Sequence, residues 1–244
     1  MRTLTRWDLG PGIGAAFSGR DGGVSTGRYA SLNLGLGLND DPAAVEANRA
    51  RLAEACGLAA ADLSWMRQVH GADVCYLDAG TPQPPGPADA IMTDVPGRAL
   101  CVLVADCVPV LVADPPAGLV GAAHAGREGM VAGVVPALVE AMTKAGAQPE
   151  RMRAVTGPAI CGRCYEVPPD LQERVAATVP AARCTTSAGT TGLDISAGVA
   201  AQLQAAGVGS VASAGRCTSE SPDLFSYRGD GLTGRFAGLI WLTA

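Results

Sequence analysis

The chain has 244 residues with a net charge of −5, 48% hydrophobic and 17% charged residues. That composition excludes intrinsic disorder, and with no basic run it excludes non-specific nucleic-acid binding. No apolar run approaches the ~18 residues of a membrane span, since Asp106 interrupts the longest one, 99–113.

Residues 1–10 lack the apolar stretch of a signal peptide, which points to a cytoplasmic protein. Eight cysteines without such a signal read as free thiols or metal ligands. At roughly 150 residues per domain, 1–244 is expected to form one large domain. Arginine supplies nearly all the positive charge, Lys144 being the only lysine.

Residues 40–56 predict a helix, with Asp40 or Asp41 as cap, Pro42 in its first turn and Gly57 as its stop. Strands are expected at 69–77 and 88–93, with a Pro/Gly loop at 81–87 between them. The run 99–105 reads as a buried strand, followed by strands at 108–113 and 119–123 around a turn at 115–118. A helix is predicted over 128–145, because Met130, Val134, Leu138 and Met142 share one stripe. Pro136 should kink it and Gly146 should end it. Further helices fit 170–178 and 194–206, with a loop at 185–192. The tail, 225–242, predicts a loop and a last strand. This irregular alternation predicts an α+β fold.

Three residues stand out by type and position. His70 ends WMRQVHG, Cys107 sits in ADCVP between two strands, and His124 ends a strand in AAHAG. Two His and one Cys form a three-ligand zinc set that leaves the fourth tetrahedral position open. Zinc there would bring the pKa of a bound water to about 7. The same set suits a blue-copper site with Met66 or Met130 as axial ligand. A multicopper centre is excluded by counting, since the chain has only two histidines. Cys107 and His124 also fit a nucleophile and its base, with Asp106 as orienting group. Their spacing matches no local zinc signature, so core packing remains an equal reading. The helix start at Gly126–Gly129 favours anions, with Arg127 beside it. Cys161 and Cys164 form a CxxC that lacks a second cysteine pair at zinc-ribbon spacing.

Taken in order, the motifs add up to a family. FSGRDGGVSTGRYASLNLG (17–35), VEANRARL (45–52), QVHGADV (68–74), ADAIMTDVPG (88–97), VADCVPVLVADP (104–115), HAG (124–126), GPAI with YEV (157–167) and FSYRGDGLTGR (225–235) span nearly the whole chain. The chain resembles the YlmD/YfiH-type proteins, once called polyphenol oxidases or laccase-domain proteins and now described as purine nucleoside phosphorylases. The resemblance implies an α-β-β-α arrangement, two packed mixed sheets between helical layers. It implies His70, Cys107 and His124 as metal ligands and zinc as the metal. The implied activity is phosphorolysis of adenosine, inosine and methylthioadenosine, with adenosine deamination beside it. Arg20, Arg49, Arg127 and Arg228 become candidate phosphate ligands, and Ser31, Asn33 and Gln68 candidate ribose or base contacts. The family often reads HAGWRG where this chain reads HAGREG, so Glu128 stands where relatives carry an arginine. Some relatives are peptidoglycan editing factors, which keeps a Cys–His amidase acting on muropeptide precursors open. A copper phenol oxidase and a non-enzymatic zinc protein are the remaining readings. A monomer or weak homo-oligomer is expected.

Overall fold

Residues 4–81 and 85–243 are described in the structure, a computed structural model. In chain order, strands β1 (Leu4–Arg6) and β2 (Ile13–Ser18) precede helix α1 (Pro42–Cys56). Strands β3 (Leu63–Trp65), β4 (Val74–Tyr76), β5 (Ala90–Thr93), β6 (Ala99–Val104), β7 (Val108–Asp114) and β8 (Leu119–Ala125) follow. Helices α2 (Arg127–Ala132) and α3 (Val134–Lys144), strand β9 (Arg153–Thr156) and helix α4 (Pro169–Thr178) come next. Strands β10 (Arg183–Thr185) and β11 (Thr191–Leu193), helix α5 (Ile195–Ala205), strand β12 (Ser210–Ser213), helix α6 (Tyr227–Asp230) and strand β13 (Phe236–Leu242) complete the order.

Two mixed sheets form, one ordered β1-β2-β13-β6-β3 and the other β12-β9-β7-β8-β5-β4. Their inner faces share one core, in which Phe17, Val102, Phe236 and Ile240 meet Ile91, Leu111, Val120 and Val155. All three phenylalanines of the chain are fully buried in that core. Helix α1 covers the outer face of the first sheet, with Leu52, Ala53 and Cys56 against Cys101, Leu239 and Trp241. Helices α3 and α5 cover the second, placing Leu138, Met142, Val199 and Leu203 on Val110, Val112 and Ala123. The layering is therefore α-β-β-α, and the class is α+β.

Local signals explain the helix ends. The Asp41 carboxylate accepts from the Ala43 N–H, and Gly57 takes a left-handed conformation, φ 76°. Asp194 caps α5 in the same way, accepting from Ala197. Four expectations need correction. The single helix over 128–145 is two helices broken at Gly133, φ 87°. Pro136 lies in the first turn of α3, where its missing N–H costs nothing, so it does not kink the helix. The strand at 69–77 shrinks to β4, because residues 69–71 turn their N–H groups toward a buried carboxylate. The loop at 185–192 is the turn of the β10–β11 hairpin and includes strand residues at both ends. Residues 82–84 of the Pro/Gly loop lie outside the described residues.

Candidate metal centre

The β7–β8 hairpin builds the first half of the site. Its register pairs Pro109 with His124, so Cys107, just ahead of β7, meets the end of β8. Strand β5 pairs Ala90 with Ala123, which brings Asp89 beside His124. The Asp89 carboxylate is fully buried and is the organising group. Its Oδ1 accepts from the His70 N–H at 2.9 Å and lies 2.8 Å from His124 Nδ1. Its Oδ2 accepts from the Val69 and Gly71 N–H groups at 3.0 and 2.7 Å. Burial pushes this carboxyl up, but the bonds from His124, Gly71 and Val69 outweigh that and hold it at about 2. An ionised carboxylate only accepts, so Nδ1 of His124 carries the proton and Nε2 keeps its lone pair.

His70, Cys107 and His124 offer donor atoms within 4.8 Å of one another. The two imidazoles lie edge to face with centroids 4.8 Å apart. His70 holds φ 61° and Asp106 holds φ 91°, conformations that a non-glycine residue keeps only when its surroundings enforce them. Asp89 enforces the first. Thr218 Oγ1, Ser226 Oγ and the Arg228 N–H enforce the second, donating to the Asp106 carboxylate at 2.5, 2.7 and 2.6 Å. Gly126 leaves the space between the three donors open. A Cβ there would come within 3.0 Å of Cys107 Sγ, 3.2 Å of His70 Cδ2 and 3.8 Å of His124 Cε1. Two imidazole nitrogens, one thiol sulfur and this open space fit a zinc-sized ion with a free coordination position.

The trio lines a cavity of about 420 Å³. Arg127, Arg228 and Arg235 also line it, as do Tyr165, Tyr227 and Ile160. The Arg228 guanidinium lies over the Tyr165 ring, 4.9 Å from its centroid. Glu128 is absent from the lining and pairs with Arg127 at 2.9 Å, its side chain largely exposed. Gly129 packs against the carbonyls of Gly71 and His124, so it serves close packing.

The remaining sequence candidates separate. Gln68 reaches the cavity, but its amide is fixed to both backbone groups of Leu103. Arg20 does not line the cavity; its guanidinium binds the Ala30 carbonyl and Asp230. Ser31 and Asn33 face inward to a different network, in which buried Asn48 donates to the carbonyls of both. Asn33 Oδ1 also accepts from the N–H groups of Gly35 and Arg235. Arg49 stacks on Trp65, 4.1 Å from its ring, away from the trio. Sequence reasoning missed Asp89, Tyr165 and Arg235. All three stand inside matched motifs, Asp89 in 88–97, Tyr165 in 157–167 and Arg235 in 225–235, which was the available signal.

The comparisons with known proteins agree with this architecture. The family model described as "Multi-copper polyphenol oxidoreductase laccase" matches residues 14–243. A Streptomyces coelicolor protein named purine nucleoside phosphorylase is 56% identical over 93% of this chain and 94% of its own length. A Mycobacterium tuberculosis protein of the same name is 48% identical over 91% of this chain and 89% of its own. The crystal structure of YlmD from Geobacillus stearothermophilus superposes with a TM-score of 0.88 at 35% identity, covering 96% of this chain and 93% of that one. Bacillus licheniformis YfiH gives a TM-score of 0.91 at 29% identity, over 100% of this chain and 97% of its own. The chain belongs to the multi-copper polyphenol oxidoreductase laccase family, the family of YlmD and YfiH.

Proposed function

We propose that this protein is a cytoplasmic, zinc-dependent purine nucleoside phosphorylase with adenosine deaminase side activity. The observation that carries the reading is the His70–Cys107–His124 trio on the wall of a cavity that also presents three arginines. The names of relatives at 45–56% identity support it. A 420 Å³ cavity has the size of a small-molecule site. Among the described residues no helix is long and apolar enough to cross a membrane.

His70, Cys107 and His124 would hold the zinc, which supplies a Lewis acid with one position open to substrate or water. Arg127, Arg228 and Arg235 attract and orient hydrogen phosphate as one of its oxygens bonds to the ribose C1′ and the bond to the purine nitrogen breaks, the phosphate's proton passing to the departing base. The products are the free base and ribose 1-phosphate. Tyr227 and Tyr165 offer aromatic faces to the purine. In deamination, water adds at purine C6 and ammonia leaves, giving inosine from adenosine. Asp89 holds the His124 tautomer and the His70 backbone throughout, so both ligands keep one orientation.

The amidase reading needs a reactive thiolate. Burial, with Asp106 beside it, pushes the Cys107 thiol up to about 11, the wrong direction for a free nucleophile. The phenol-oxidase reading through a multicopper centre needs histidines beyond the two this chain has.

Product analysis of zinc-loaded protein with adenosine, with and without phosphate, tests the proposal. Adenine and ribose 1-phosphate should form only with phosphate, and Cys107→Ser should abolish them. Absence of turnover of every purine nucleoside in the presence of phosphate would overturn it.

A further inference from the structure

Behind one wall of the cavity a second group of donors converges. Cys161, Cys164, Cys217 and Glu220 each offer one donor atom, all within 4.8 Å of one another. We propose that these four residues form a structural zinc site, separate from the His70–Cys107–His124 trio.

The argument starts from spacing. Cys161 and Cys164 form one x-x turn, and Cys217 and Glu220 form another, so the partner of the CxxC is a CxxE. A search for cysteine pairs alone cannot find it. Each turn closes in the same way, the Cys164 N–H donating to the Cys161 carbonyl at 3.0 Å and the Glu220 N–H to the Cys217 carbonyl at 3.3 Å. The two turns lie side by side. Ala159 bridges to Cys217, donating to the Arg216 carbonyl at 3.2 Å and accepting from the Thr218 N–H at 3.1 Å.

A backbone N–H points at one of the sulfurs, that of Cys161 donating to Cys217 Sγ at 3.4 Å. Such a donor is what a thiolate ligand requires from its surroundings, because it offsets the charge and fixes its direction. The Glu220 carboxylate already lies 3.5 Å from Cys164 Sγ, with the Arg163 guanidinium at 3.3 Å to balance charge. Cys184 stays outside the set, its thiol turned to the Gly162 carbonyl at 3.4 Å.

Three soft thiolates and one carboxylate suit a closed tetrahedral zinc site. Bonds of about 2.3 Å place tetrahedral donors about 3.8 Å apart, so small side-chain shifts close the group around an ion. None of the four cysteines near this point is in a disulfide, and Glu220 is too polar for the cluster to be apolar core.

The location gives the site its role. Ile160 and Tyr165 belong to the first turn's segment and line the substrate cavity. Thr218 follows Cys217 and holds Asp106, the neighbour of Cys107. The Ile160 N–H donates to the Asp106 carbonyl at 3.0 Å. Zinc here ties the 157–165 segment to the 216–220 segment and fixes the wall that carries Tyr165 and positions Asp106.

Metal content of the full chain, by native mass spectrometry and elemental analysis, tests the site without reference to turnover. The wild type should hold two zinc ions. The Cys107→Ser/His124→Ala variant should keep one, and Cys161→Ser/Cys217→Ser should lose one. Cobalt loaded into Cys107→Ser/His124→Ala should show a thiolate-to-metal charge-transfer band with the intensity of three thiolates. Glu220→Gln, at an exposed position, keeps the fold and should release its ion to a chelating dye roughly tenfold more readily. Loss of all bound metal in Cys107→Ser/His124→Ala would overturn the proposal. So would a freshly purified chain two hydrogens lighter through a bond among Cys161, Cys164 and Cys217.

Discussion

Asp89→Asn is the sharpest single test of how the trio is held. In the wild type each carboxylate oxygen accepts two donors, His70 N–H and His124 Nδ1–H on one side, Val69 and Gly71 N–H on the other. An amide replaces one accepting oxygen with a donating nitrogen. Whichever way it is placed, two buried donors face an NH2 group. At about 1–3 kcal/mol for each stranded buried donor, the substitution should cost about 2–6 kcal/mol of stability. Taking ~4 kcal/mol, the midpoint of thermal unfolding of the metal-free protein should fall by roughly 8–16 °C. If the amide nitrogen faces His124, the imidazole must move its proton to Nε2, which removes the lone pair needed by a metal. Zinc affinity should then drop about 10–100-fold. Competition with a chelating dye measures the second effect and differential scanning calorimetry the first. A variant that unfolds within about 2 °C of wild type and binds zinc equally well would refute the organising role of Asp89.

Arg235→Gln should raise the phosphate KM by tenfold or more, from loss of a charge-assisted bond of about 1.5–3 kcal/mol, and initial rates against phosphate concentration check it. Arg20→Gln, whose guanidinium is already occupied by Ala30 and Asp230, should leave that KM unchanged. Gly133→Ala should destabilise by about 1–2 kcal/mol in urea unfolding, because φ 87° is costly for alanine, whereas Pro136→Ala should change stability by less than about 1 kcal/mol. Asp114 gives a pH-dependent effect. Burial pushes its carboxyl up, but Arg151 and the Gln148 N–H draw it below the usual carboxylate range. A depressed folded pKa contributes stability above the unfolded value of about 3.9 and loses it as pH falls through the folded value. Wild type should therefore exceed Asp114→Asn in urea midpoint at neutral pH, and the gap should narrow toward about pH 3; a constant gap would count against the ion pair.

Much of the local structure is legible in the sequence because it depends on neighbours. Asp41, Pro42 and Gly57 bound α1, and Asp194 caps α5, through contacts within one turn. The apolar runs around 115–118 fold as the β7–β8 hairpin for the same reason. Strands β1, β2, β3, β9 and β12 are short or poor in large apolar residues, and their order comes from partners far away. The last strand, β13, lies between β2 and β6, a pairing no local signal encodes.

The site divides along the same line. Residue types alone single out His70, Cys107 and His124, since two histidines and a cysteine at the ends of apolar runs stand apart in so apolar a chain. Their convergence is decided by register, which sets Pro109 against His124 and Ala90 against Ala123, and by the Asp89 carboxylate that gathers the N–H groups of residues 69–71. Polar motifs mislead at Ser31 and Asn33, because Asn48 from α1 claims them for the loop that packs there. Arg235 reaches the cavity only through the strand that ends the chain. Helix periodicity and capping are set within a few residues and so are written in the sequence. Which carboxylate, arginine or thiol faces which is set by strand pairing across the whole chain, and only the assembled sheets decide it.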